Sequence, residues 1–180
     1  MRKVPRVLER AGVRFVVCES TNSAKIDGVS FWLNENSPVI GMSLRYDRID
    51  NFWFVLRHEC EHILKKHGRE SQRFMLDIDL EHEHLNITDE EDVANDAASN
   101  FGVTAPSLQN FIARKEPFFR EMDVLGFAST ERVHPGIVVG RLQRATGRYE
   151  LLRKYLVKIR SKLVQDVIVD GWGEIAPVDV

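Results

Sequence analysis

Cysteine is scarce in this chain: 180 residues hold only two, Cys18 and Cys60. They lie far apart and neither belongs to a Cys-x-x-Cys pair, so no disulfide framework is expected and a reduced, cytoplasmic setting is. Long apolar runs are missing too, and nothing approaches the ~20 residues that a membrane-spanning helix requires. The N-terminus, MRKVPRVLERAGVRF, lacks the apolar centre of a signal peptide. Neither charge sign dominates: 25 basic residues stand against 27 acidic, a net of −2, which gives no global nucleic-acid or membrane signature. There is no internal repeat, no Gly-rich phosphate loop and no Gly-x-Ser-x-Gly nucleophile motif. What is present is an ordinary globular balance, 43% apolar and 29% charged, on a chain long enough for one real core or a small domain plus an appendage.

One stretch carries chemistry. Phe52 to His67 reads FWFVLRHECEHILKKH and contains His58-Glu59-Cys60-Glu61-His62, an HExxH arrangement. At about 100° per residue, a helix here puts His58 and His62 one turn apart on one face, where both can bind one metal ion. Glu59 lies beside them, placed to deprotonate a water at that ion. Asp50 and Asn51 offer N-cap oxygens, and Gly68 offers a left-handed stop after Lys65, Lys66 and His67. Phe52, Leu56, Cys60, Ile63 and Leu64 form an apolar stripe. The histidines fall roughly opposite its middle, on a second face flanked by Phe54 and Val55.

Around this stretch the chain reads as α+β. Residues 4–12 suggest a short helix ending near Gly12. Arg14–Glu19, Val29–Leu33 and Val39–Leu44 suggest strands, the last two forming a hairpin across Asn34-Glu35-Asn36-Ser37-Pro38. A free strand edge beside the metal would offer an extended peptide a place to pair. Residues 69–90 read as a polar connection whose Asp77, Asp79, Glu81, His82, Glu83 and His84 form a solvated acidic loop, with the histidines as rival ligands.

A further helix is expected from Thr88 as N-cap to Gly102 as stop, with Val93, Ala94, Ala97, Ala98 and Phe101 as its apolar stripe. Glu91 and Asn95 lie four apart at the stripe's edge. Glu91 can serve as a third metal ligand, and Asn95 as an acceptor that fixes a ligand imidazole. Thr88-x-x-Glu91 is equally a capping box, and spacing alone leaves both readings open.

Residues 105–128 suggest one or two short helices broken near Pro117. Pro135 opens another, about 135–146, closed by Gly147. His134 would stand at its N-terminus, where a neutral imidazole can donate to an oxyanion. Arg141 to Lys162 is strongly basic, with Glu150 its sole acid. Leu151, Leu152, Tyr155, Leu156, Ile159 and Leu163 supply an apolar side, so an amphipathic helix with a solvated basic face is expected. The tail around Asp170-Gly171-Trp172-Gly173 reads as a terminal turn.

Together these segments resemble the ImmA/IrrE family of metallopeptidases. The resemblance is carried by Phe31-Trp32-Leu33, Pro38-Val39-Ile40-Gly41, Arg45-Tyr46-Asp47-Arg48-Ile49-Asp50-Asn51-Phe52, His58-Glu59-x-x-His62 and Glu91-x-x-Ala94-Asn95-x-x-Ala98. It runs from Val13 to Pro106; beyond that only Val133-His134-Pro135-Gly136 has a similar look. It implies a gluzincin-like site, with His58, His62 and Glu91 holding one Zn2+ and Glu59 as general base. Asn95 matches the position where such enzymes place a carboxylate or amide. Family members often cut helix-turn-helix repressors or are fused behind a helix-turn-helix domain. No room for that domain exists before Arg14, so a partner regulator or antitoxin would be another chain. Cys60-Glu61 departs from the small residues common inside the motif, which bears on helix packing more than on ligation.

The expectation is therefore a zincin-like α+β domain over residues 1–106, a small sheet packed on the HExxH helix, with a helical C-terminal extension over 107–180. Its function would be zinc-dependent peptide hydrolysis, with His134 or Tyr46 helping to polarise the scissile carbonyl. A protein-binding module with little or no proteolysis is the alternative. Direct nucleic-acid binding and membrane association are not expected.

Overall fold

A computed structural model describes residues 3–18, 25–70, 74–78, 89–163, 167–169 and 175–177. The elements run α1 (Val4–Arg10), β1 (Arg14–Val17), β2 (Ile26–Trp32), β3 (Pro38–Met42), α2 (Ile49–Lys65), β4 (Met75–Ile78), α3 (Asp89–Ser99), α4 (Ala105–Lys115), α5 (Glu121–Thr130), α6 (Pro135–Thr146), α7 (Arg160–Leu163), β5 (Val167–Val169) and β6 (Ile175–Pro177). The fold is α+β. Among the described residues, no helix is long and apolar enough to cross a membrane.

Four strands make a mixed sheet in the order β1-β3-β2-β4. β2 and β3 form the hairpin, antiparallel, with Phe31 opposite Val39. β1 runs parallel to β3, Phe15 beside Ile40. β4 adds to the other side of β2, and its register shifts between Ile26 and Gly28. That strand corrects the expectation of an uninterrupted connection over 69–90. Four residues, MLDI, are too short to show a period, and their partner lies some fifty positions earlier. The acidic residues 79–84, Thr88 and the 170–173 tail lie outside the described residues.

α2 is buried on two sides. Phe52, Val55 and Leu56 enter a core with Phe15, Ile40 and Met42 from the sheet, while His58, Glu59 and His62 are buried as well. Leu64, expected on the apolar stripe, is exposed. The helix boundaries also differ from the expectation. Arg48 precedes the first turn and no side chain caps it. Asp50 instead receives the Arg48 guanidinium through Nε (3.1 Å) and Nη2 (2.6 Å). At the far end Lys66 takes the left-handed conformation, φ 60°, two residues before Gly68. The buried Glu61 within the motif is matched by Arg57, one turn earlier, at 2.6 Å.

α3 packs along α2 through Ala94 and Ala98, which are 0% and 4% exposed. Small residues let the two backbones approach closely, and this sets how far a side chain on α3 must reach. Val93 and Phe101, expected on the same stripe, are 41% and 39% exposed, so the fully buried face is narrower than the sequence suggested.

A second core joins α4, α5 and α6 through Leu108, Phe111, Val124, Phe127, Val138 and Leu142. α6 spans Pro135–Thr146 with Gly147 left-handed after it. It crosses the start of α2 at Gly136 and Gly140. A Cβ on Gly140 would collide with the Asp50 carboxylate, and one on Gly136 would fall 2.6 Å from Ile49 Cγ2. The single basic helix expected from Arg141 to Lys162 is not formed. Gly147 (φ 69°) and Leu152 (φ 46°) turn the chain. It continues as a 3-10 turn at Arg153–Tyr155 and the short α7. Ile159 and Leu163 then enter the first core, beside the sheet. Asp47 fastens this return, its Oδ1 accepting from the amides of Ile159 (2.9 Å) and Arg160 (2.6 Å). The apolar side of the basic segment thus serves folding, through a bent chain rather than a helix face.

Candidate metal centre

Two helices deliver three donor atoms to one point. From α2, His58 Nε2 and His62 Nε2 lie 3.0 Å apart. From α3, Glu91 Oε2 is 3.2 Å from His58 Nε2 and Glu91 Oε1 is 3.4 Å from His62 Nε2. The histidines meet because they are one turn apart, and Glu91 reaches them because Ala94 and Ala98 bring α3 close.

The three residues could hold a metal ion. Zinc bonds of about 2.0–2.2 Å in a tetrahedron place neighbouring ligand atoms about 3.3–3.6 Å apart; the separation of 3.4 Å falls in that range, and those of 3.0 and 3.2 Å lie just below it. Two imidazoles and one carboxylate also suit zinc and its transition-metal neighbours better than magnesium or calcium, which prefer oxygen throughout. Among the described residues three side chains converge, and a tetrahedral ion held by three ligands would have its fourth position for water or another group.

The electrostatics agree with such a donor set. Burial alone would raise the Glu91 carboxyl, but the hydrogen bonds and field of His58 and His62 outweigh it and hold its pKa down to about 2. Phe54 stacks on the His58 ring at 6.5 Å, and the Arg144 guanidinium of α6 sits 5.3 Å over Phe54.

Glu59 is fully buried. Its side chain turns towards β2, where Gly28 leaves space for it. A Cβ at Gly28 would lie 2.5 Å from Glu59 Oε1 and 2.7 Å from Val55 Cγ1. A glycine at this point of the strand is thus required by the carboxylate behind it.

The remaining candidates are dispersed. Asn95, half-buried one turn after Glu91, makes no hydrogen bond to either imidazole. The partner of His62 is instead His67, which sequence reading treated only as a last-turn charge. His62 Nδ1 and His67 Nδ1 are 2.9 Å apart. A residue five positions on does not share a helical face, so no periodicity could have shown this. The left-handed Lys66 produces it by folding the chain back. Burial lowers the His67 pKa, and the neighbouring His62 adds to this against the field of Glu90 and Glu91.

His134 caps α6, its Nδ1 accepting from the Gly136 amide at 3.0 Å. Its pKa is lowered by burial and by Lys162. It lines a cavity of about 660 Å3 together with Ile49, Trp53, Phe101 and Ile137. Ile49 is nine residues before His58, about 14 Å along the helix axis, so His134 stands by the opposite end of α2. Tyr46 lies in the loop before α2, where its hydroxyl accepts from Arg45 Nη2 at 3.0 Å. α6 thus keeps His134 away from the donor atoms, and the oxyanion role expected of it finds no support there.

No family model, curated protein or solved structure matches this chain.

Proposed function

We propose that this chain is a zinc-dependent endopeptidase with a zincin-like arrangement, of the type its segments resemble, the ImmA/IrrE metallopeptidases. The observation that supports this most is the convergence of His58, His62 and Glu91 from two helices, with Glu59 buried on the same helix turn. When bound, zinc supplies Lewis acidity, making water a nucleophile at neutral pH and polarising a peptide carbonyl. His58, His62 and Glu91 hold the ion. Glu59 takes the proton from the attacking water and passes it to the leaving amine. β4, an outer strand of the sheet among the described residues, offers backbone groups against which an extended peptide can pair. The substrate is a regulatory protein on another chain, a helix-turn-helix repressor or antitoxin, met in the cytoplasm.

The test is N-terminal profiling by mass spectrometry of a proteome-derived protein mixture incubated with the zinc-loaded protein, with Glu59→Gln as control. New N-termini should arise with the native protein and be absent with Glu59→Gln, although both hold zinc. Equal profiles from two zinc-loaded proteins would overturn the peptidase reading and leave a binding module.

A further inference from the structure

We propose that His67 is a positioning residue for the metal centre, selecting the one tautomer of His62 that can bind the ion. This rests on the zinc reading above. The separation of 2.9 Å between His62 Nδ1 and His67 Nδ1 fits a hydrogen bond, and two neutral rings share one proton there. Its direction decides the site. If His62 donates, its proton is on Nδ1 and the lone pair of Nε2 faces His58 and Glu91. If His67 donates, the His62 proton is on Nε2, where it blocks coordination. Metal binding therefore requires His67 to accept, with its own proton on Nε2.

The surroundings hold His67 in place. Its amide donates to the His62 carbonyl at 2.9 Å, so the two residues are tied by backbone and by side chain. Its carbonyl accepts from the Trp32 indole at 3.1 Å. Trp32 ends β2, and Arg69 lies 5.5 Å over its ring while donating through Nε to the Glu35 carbonyl in the hairpin turn at 2.8 Å. The β2–β3 hairpin thus clamps the turn that presents His67. Two backbone bonds fix the turn from which the ring projects, and the bond to His62 Nδ1 orients the ring itself.

The experiment measures zinc affinity of the whole chain by competition with a chromophoric chelator, for the native protein, His67→Leu, His67→Asn and Trp32→Phe. His67→Leu should bind zinc about 10–100-fold more weakly. His67→Asn, whose amide oxygen can stand where Nδ1 stood, should recover to within about threefold of the native value. Trp32→Phe keeps the imidazole but loosens the clamp, and should fall between. A Leu variant that merely unfolds is recognised by its apo melting curve, and the Asn variant then decides. Long-range 1H–15N spectra of the zinc-loaded native protein supply an independent readout, with His62 Nδ1 protonated and His67 Nδ1 an acceptor. Zinc binding by His67→Leu within twofold of native, an Asn variant as weak as Leu, or a protonated His67 Nδ1 would overturn the assignment while leaving the zinc site intact. Failure of the native protein to bind zinc would overturn both.

Discussion

Replacing Gly28 by alanine should separate the proposed general base, Glu59, from the three proposed metal ligands. The added Cβ would lie 2.5 Å from Glu59 Oε1, 2.7 Å from Val55 Cγ1 and 3.0 Å from Glu59 Cγ. Ordinary contact between carbon atoms needs about 3.5–4.0 Å, so something must move. Both side chains are buried, but Val55 is β-branched and stiff whereas Glu59 turns about three side-chain bonds, which makes its carboxylate the easier group to displace. Overpacking of this kind costs about 1–3 kcal/mol. At about 2 kcal/mol, a chain of this length should melt about 4–8 °C lower. A positioned base contributes about 100-fold or more, so cleavage should fall by at least that factor. Zinc content should stay at the native level, because the three atoms nearest the added Cβ belong to Glu59 and Val55 and none to a ligand residue. Differential scanning calorimetry, elemental analysis and the N-terminal profile read these three quantities on one preparation. A variant that melts and cleaves like the native protein would refute the close approach. One that loses zinc would refute the separation of base from ligands.

Two other perturbations follow from the same geometry. Ala94→Leu inserts three carbons between α3 and α2 at a position 0% exposed; it should destabilise by about 1–3 kcal/mol and weaken zinc affinity by carrying Glu91 outwards, as chelator competition would show. The Cys60 thiol is pushed up to about 11 by burial, with Arg57 opposing and Glu59 and Glu61 adding to it. Below that pH it is a thiol, so about one in a thousand molecules is ionised at pH 8. Labelling by iodoacetamide, followed by mass spectrometry, should therefore find the exposed Cys18 first. The Cys60 rate should rise about tenfold per pH unit towards 11.

How much of this was legible depends on the distance over which each feature is encoded. The hairpin, the span of α6 between Pro135 and Gly147, and the facing of His58 and His62 all follow from local periodicity and turn residues. Glu91 was legible only as one of two options, because a capping box has the same spacing. Its reach to the histidines depends on Ala94 and Ala98 meeting another helix. β4 was hidden by its brevity. The break of the basic segment at Leu152 was hidden because its apolar residues fit a helix as well as they fit a bent return to the first core. His67 and Gly28 carry no pattern at all. One is presented by a left-handed lysine, the other is defined by a carboxylate some thirty residues away. The sequence also placed His134 near the chemistry by residue type, whereas α6 meets the start of α2 and holds His134 there.

The most direct test of the central claim is the zinc content of the purified protein and of Glu91→Ala by elemental analysis. A three-ligand site on two helices predicts one zinc per chain in the native protein and a sharp fall in the variant. A native protein that binds no metal when zinc is supplied at neutral pH would contradict it.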